Sequence, residues 1–205
     1  MRAVIFSGGE YGNPSFYKKE LKAGDFIITA DAGASFAQKI GAKINVAIGD
    51  FDTLGAEKIV AEEIIKLNPE KDYTDSFEAL FLVKKRGFKE AVMFGASGSR
   101  MDHSLANIFL LKKAMDMGIN LTLCDEKNIV YITKNRLCIK KREGYRLSVI
   151  QLTDAKSVTL EGLYYPLKEK DMELGDMIGI SNEFIEEEAK ISVKNGILLI
   201  LLTRD

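Results

Sequence analysis

Through about residue 125, short runs of consecutive apolar side chains alternate with longer segments whose apolar positions recur every three or four residues. The short runs, Ala3-Phe6, Phe26-Ala30, Val46-Ile48, Ala91-Phe94 and Asn120-Cys124, read as strands buried on both faces. The longer segments predict helices over Ser15-Lys22, Ala34-Ile40, Ala56-Leu67, Ser76-Arg86 and His103-Met117. Asn13-Pro14 supplies a cap and a first turn for the first helix, and Gly41, Gly87 and Gly118 mark the ends of three others. Strands alternating with helices predict a mostly parallel sheet with flanking helices.

After Asp125 the period shortens. Ile129-Thr133, Arg136-Ile139, Arg146-Gln151, Ser157-Leu160, Met177-Ser181, Ile191-Lys194 and Ile197-Thr203 are rich in β-branched and aromatic residues, with turn signals at Asn135, Glu143-Gly144 and Asn195-Gly196. Asn-Gly between two apolar runs predicts a hairpin. The expected organisation is an α/β domain over 1–125 followed by an all-β sandwich over 126–205, the boundary being set only by the change of period.

Composition narrows the function classes. With 205 residues, 46% of them hydrophobic, the chain buries a sizeable core without staples. The 29 basic and 30 acidic residues nearly cancel, so no global field recruits nucleic acid or an anionic membrane, and any phosphate binding is local. Cys124 and Cys138 lie in apolar segments and have no zinc-type spacing, which reads as buried free thiols. The start of the chain turns into Ser7-Gly8-Gly9 too soon for a secretory h-region, and no apolar run reaches membrane-spanning length; a cytoplasmic location is expected.

In an open α/β sheet, ligands bind beyond the carboxyl ends of the strands. Those positions hold Ser7-Gly8-Gly9-Glu10, Asp31-Ala32-Gly33, Gly49-Asp50-Phe51-Asp52 and the run from Gly95 through Gly98, Ser99, Arg100 and Asp102 to His103. Asp50 and Asp52, two residues apart after a strand, repel one another unless a cation or shared proton lies between them, which favours a metal site; Asp52 or Thr53 could alternatively cap the next helix. Asp75 with Glu78 three positions on resembles a capping box, yet Lys71, Asp72, Thr74 and Asp75 form a loop whose composition suits a magnesium-nucleotide site. The glycine run can present backbone N–H groups to phosphate beside the Arg100 fork, or be an ordinary strand-to-helix turn. It is neither a Walker A nor a Gly-x-Gly-x-x-Gly motif. His103, the single histidine, has a surface or packing role as its default.

The ordered set Ala30-Asp31-Ala32-Gly33-Ala34, Gly49-Asp50-Phe51-Asp52-Thr53, Lys71-Asp72-Tyr73-Thr74-Asp75, Gly95 to His103, Gly162-Leu163-Tyr164-Tyr165-Pro166-Leu167 and Ile180-Ser181-Asn182-Glu183 resembles the bacterial thiamine pyrophosphokinases over nearly the whole chain. It departs from their pattern where Ala32-Gly33 stands for a glycine pair and Gly98-Ser99-Arg100 for Gly-Gly-Arg. The resemblance implies transfer of pyrophosphate from ATP to the thiamine hydroxyl with release of AMP, and a homodimer whose active sites form between the α/β domain of one subunit and the β domain of the other. It implies Mg²⁺ on Asp50, Asp52 and Asp75, with Arg100 binding the transferring phosphates and Asp102 coordinating a second metal or orienting the substrate hydroxyl. Asp31, Gly33, Lys71, Thr74, Gly98, Ser99, Arg100 and His103 would contact ATP, and Tyr165, Ser181 and Asn182 would contact thiamine. Two other readings use the same cluster: a metal-dependent nucleotide phosphohydrolase with water as nucleophile, and a catalytically silent nucleotide-binding module.

Overall fold

The computed structural model describes residues 1–51, 58–68, 70 and 72–205, and contacts divide the chain into two units, Met1–Glu126 and Lys127–Asp205. The first unit grows around β1 (Ala3–Phe6), whose four side chains have no exposed surface. An unbroken apolar run suits a central parallel strand, because both of its faces are covered. After it come α1 (Pro14–Glu20), β2 (Phe26–Ala30), α2 (Gly33–Lys39), β3 (Ile44–Gly49), β4 (Ala61–Lys66), α3 (Asp75–Lys85), β5 (Glu90–Phe94), α4 (Met101–Asp116) and β6 (Asn120–Cys124). The strands are parallel in the order β4-β3-β2-β1-β5-β6. The chain builds outward from β1 on one side, then returns to β1's other side with β5, so the strand order reverses between β1 and β5.

Local chemistry sets the helix ends. The Asn13 side chain accepts from the Ser15 N–H at 2.9 Å, with Pro14 in the first turn. The expected helix over Ala56-Leu67 is not found in its described part: Ala61–Lys66 is the edge strand β4, in register with β3 from Ile44 opposite Ala61 to Gly49 opposite Lys66. Pairing with β3, the strand before it, overrides the helix preference of Ala, Glu and Lys. The exposed Glu62, Glu63 and Lys66 also suit an edge, which charges protect from further pairing.

The second unit is a sandwich of two antiparallel sheets. One has the order β7 (Asn128–Thr133), β13 (Leu198–Thr203), β9 (Arg146–Gln151), with the apolar β13 in the middle. The other runs β11 (Leu167–Met172), β10 (Ala155–Glu161), β12 (Glu188–Ser192), β8 (Arg136–Lys140). Asn195-Gly196 joins β12 to β13 and therefore passes between sheets; the hairpin expected there does not form. The strand expected over Met177-Ser181 is also missing: Gly179 accepts one hydrogen bond from the Val149 N–H at 2.8 Å, and pairing with β9 goes no further than a bridge between Leu147 and Asn182. Strand β11, Leu-Lys-Glu-Lys-Asp-Met, carries no apolar alternation and was not anticipated; as an edge strand it is mostly exposed. Cys124 is buried as expected, but Cys138 is exposed on β8, and no disulfide joins them.

Candidate active site

The reversal of strand order between β1 and β5 opens a crevice at their carboxyl ends, the place where doubly wound sheets take ligands. The two loops leaving these strands stay paired beyond the sheet. Ser7 N–H donates to Phe94 O at 2.9 Å, Gly9 N–H to Gly95 O at 2.9 Å and Glu10 N–H to Ser97 O at 2.8 Å. A Cβ on residue 9 would collide with the carbonyl oxygens of Gly95 and Ser97, so the zipper requires glycine there. Together these loops, the end of β2 and the start of α3 enclose a cavity of about 350 Å³, a size suited to a small organic ligand.

From β2 the cavity receives Asp31, whose backbone is left-handed at φ 45°. Gly33 opens α2 against β1: a Cβ there would strike the Phe6 carbonyl. The close approach thus falls on Gly33, and Ala32 occupies its position with a side chain. From α3 come Thr74, Asp75 and Ser76. The expected capping role of Asp75 belongs instead to Thr74, whose Oγ1 accepts from the Phe77 N–H at 3.3 Å, and Asp75, one residue on, lines the cavity. The Ser76 hydroxyl meets that of Ser7 at 2.6 Å in a buried contact.

The glycine run forms the opposite wall. Gly98 N–H donates to Ser104 Oγ at 3.2 Å, Ser99 N–H to Glu10 Oε1 at 2.8 Å and Asn107 Nδ2 to Ala96 O at 2.7 Å. Arg100 and His103 line the cavity. Arg100 is bound twice by Asp102, Nη2 to Oδ2 at 2.6 Å and Nε to Oδ1 at 3.2 Å. That pairing raises the guanidinium pKa and lowers that of the carboxyl. Asp102 is outside the cavity wall, so its contact with the site runs through Arg100.

Asp50 directly follows β3, half-buried, and is followed by Phe51, which is 3% exposed and left-handed at φ 58°. Asp50 does not line the cavity, and Asp52 and Lys71 lie outside the described residues. Among the described residues no three Asp, Glu, His or Cys side chains cluster tightly enough to cage a metal. Sequence reasoning missed Asn107, although a polar residue on the buried Leu110-Leu111-Ala114 stripe of α4 was a readable signal. Ser104 and the conformation of Phe51 had no such signal, and Glu10 was noted only as part of a strand-end group.

In the second unit, Asn182 is 2% exposed and its amide is committed to backbone. Its Oδ1 accepts from the N–H groups of Tyr165 at 2.9 Å and Glu183 at 3.0 Å, and its Nδ2 donates to Tyr165 O at 2.7 Å. Those bonds hold Tyr165 in place with its ring 61% exposed, edge-on to Tyr164. Ser181 is exposed and left-handed at φ 56°, its N–H donating to Ser148 Oγ at 3.0 Å.

Two family models match the chain: "Thiamin pyrophosphokinase, catalytic domain" over residues 17–123, and "Thiamin pyrophosphokinase, vitamin B1 binding domain" over 134–198. The thiamine pyrophosphokinase of Bacillus subtilis (strain 168) is 34% identical over 169 residues, 78% of each chain. A crystal structure of thiamine pyrophosphokinase from Bacillus subtilis superposes over the full length of both chains with a TM-score of 0.91 at 27% identity. Thiamin pyrophosphokinase from Candida albicans shares the fold at 13% identity, with a TM-score of 0.80 over 98% of this chain and 88% of its own.

Proposed function

The chain belongs to the thiamin pyrophosphokinase family, and from that premise we propose how its residues divide the work of moving a pyrophosphoryl group from ATP to the hydroxyl of thiamine. The unit Met1–Glu126 binds the nucleotide in the crevice between β1 and β5, and the unit Lys127–Asp205 binds thiamine. One observation carries the nucleotide assignment: a single cavity joins a glycine-rich loop and Arg100 to the carboxylates of Glu10, Asp31 and Asp75.

Three carboxylates around a cavity would repel a bare polyphosphate, so the donor set fits a site that takes its nucleotide with a hard divalent cation. Of these only Asp75 belongs to the proposed ligand set; with Asp50 and Asp52, which follow β3 in the chain, it would hold Mg²⁺, which when bound neutralises charge on the phosphate oxygens. The chain itself supplies position. Backbone N–H groups of the glycine loop and the Arg100 fork orient the phosphates, and Asp102 holds that fork in its bidentate pose. A loose transition state gains little from early removal of the hydroxyl proton, so alignment contributes more than a strong base.

Tyr165 offers an exposed aromatic face to the thiazolium cation. Asn182, with its amide fully engaged by backbone, is read as the positioning residue for Tyr165; the exposed Ser181 is the polar contact to the substrate. Apolar surface supports assembly as a homodimer. Phe81 of α3 and Met101, Leu105 and Phe109 of α4 are 48–69% exposed, as are Leu174, Met177, Ile178 and Ile185 in the second unit. Pairing the first face of one subunit with the second face of its partner would cover both and join a nucleotide site to a thiamine site. We place the reaction in the cytoplasm; among the described residues no helix is long and apolar enough to cross a membrane.

Phosphorus NMR of the protein with ATP, Mg²⁺ and thiamine tests the reading. Expected are AMP and a new diphosphate ester, formed only when thiamine is present. Inorganic phosphate released without thiamine would make the chain a phosphohydrolase, and nucleotide binding without turnover would make it a binding module; either result overturns the proposal.

A further inference from the structure

The amide that the glycine loop would give to a phosphate is already engaged by an anion of the chain itself. Glu10 Oε1 accepts the Ser99 N–H at 2.8 Å, and Glu10 lines the same cavity as Arg100 and Asp75. Gly98 makes this approach possible, since a Cβ there would come within 3.2 Å of Glu10 N and 3.3 Å of its Cγ. The loop does not depend on the Glu10 side chain for its shape. Ser97 O is held by the Glu10 N–H at 2.8 Å, Ala96 O by Asn107 at 2.7 Å, Gly98 N–H by Ser104 at 3.2 Å, and the Ser97 hydroxyl donates to Asp125 at 3.0 Å.

We infer that the Glu10 carboxylate is an internal competitor for the Ser99 amide, which a nucleotide phosphate must displace, and that it thereby sets the site's preference for metal-complexed over metal-free nucleotide. The inference rests on the assignment of the cavity to ATP. A carboxylate–amide hydrogen bond is among the stronger neutral-to-charged contacts, so displacing it weakens binding of any incoming anion. Once displaced, the carboxylate remains beside the polyphosphate and repels it, unless a cation accompanies the phosphates and reverses the sign of that interaction.

The test is calorimetric titration of the full chain with α,β-methylene-ATP, once in EDTA and once in Mg²⁺, for the wild type, Glu10→Ala and Glu10→Gln. In EDTA, Glu10→Ala should bind about tenfold tighter than wild type, and Glu10→Gln, which keeps a weaker neutral acceptor, about threefold tighter. In Mg²⁺ the gains should shrink, so the ratio of the two dissociation constants falls in both variants. Weaker binding by Glu10→Ala with normal Glu10→Gln would show a scaffold instead, weakening confined to Mg²⁺ would show a metal ligand, and unchanged ratios would show no role; each overturns the inference. A wild type that binds the analogue in neither condition overturns the nucleotide-site assignment itself. Should thermal melting show Glu10→Ala unfolded, the near-isosteric Glu10→Gln decides alone.

Discussion

Replacing Asn182 by alanine separates a positioning role from a ligand contact. The wild-type amide makes three hydrogen bonds to backbone, at 2.9, 3.0 and 2.7 Å, from a site 2% exposed. At a net worth of about 1 kcal/mol each, the ceiling of the loss is about 3 kcal/mol. Tyr165 and Glu183 are themselves exposed, so water recovers part of it, and about 2 kcal/mol is expected. With a urea slope of about 2 kcal/mol/M, the unfolding midpoint should fall by about 1 M in circular dichroism. Because Tyr165 loses its anchor, the thiamine KM should rise about tenfold while the ATP KM stays near its wild-type value. Asn182→Asp tightens the argument: it keeps the acceptors but sets an oxygen against Tyr165 O, so it should destabilise despite its matching shape. An Asn182→Ala protein with wild-type midpoint and wild-type thiamine KM would refute the positioning role.

Asp75→Asn and Asp50→Asn should each lower kcat by at least about a hundredfold with the fold retained, since a metal's charge stabilisation is worth several kcal/mol; near-normal turnover in either removes that residue from the metal site. Tyr165→Ala should raise the thiamine KM about three- to thirtyfold and spare the ATP KM, the range of a cation–π contact, and the reverse pattern would end the stacking assignment. Asp25 titrates as part of a scaffold pair. Burial alone would raise its pKa, but hydrogen bonds from Arg2 Nε at 2.9 Å and Nη2 at 3.0 Å and from the Lys22 N–H bring it below the usual value. Stability from this group is therefore full above about pH 5 and is lost as pH falls through its ordinary value of about 3.9 and the lower folded value. Asp25→Asn should cost about 1.5–3 kcal/mol at pH 7, the gap to wild type closing in acid when unfolding is followed against pH; a gap constant down to pH 2 would contradict this.

Much of the first unit was legible because its strands are locally encoded. Ala3–Phe6 and Phe26–Ala30 fall where the apolar runs place them, since a strand covered on both faces is largely apolar, and Asn120–Cys124 does so although Asn120 is exposed and Thr122 half-buried. The site loops followed from those strand ends by geometry alone. The edge strands β4 and β11 were not legible: both are mostly exposed and carry no apolar alternation, and what defines them is backbone pairing with the strand before each, which leaves no mark in their own side chains. Asn195-Gly196 was read correctly as a turn and wrongly as a hairpin, because a dipeptide fixes a local bend but not which sheet receives the next strand. Asn182 was picked out by the residues around it, yet its task is visible only once Tyr165, 17 positions away, is seen on its amide.

The backbone conformation of the site, unlike several of its residues, was out of reach of sequence reading. Asp31, Phe51 and Ser181, each in or beside a motif that marks the site, have left-handed backbones, a conformation that costs a non-glycine residue about 1–3 kcal/mol and leaves no trace in hydropathy. Such residues persist only where their surroundings determine them. Asp31 is pinned by its N–H on Ile48 O at 2.9 Å and by its carbonyl accepting from Ala34 N–H at 3.2 Å. Phe51 is fixed by burial: at 3% exposure its ring recovers about 1.5–3 kcal/mol, similar to the strain it carries. A glycine at position 51 would relieve the strain and lose the burial, leaving the backbone after Asp50 less determined. The phenylalanine thus exchanges backbone comfort for a fixed conformation directly after Asp50.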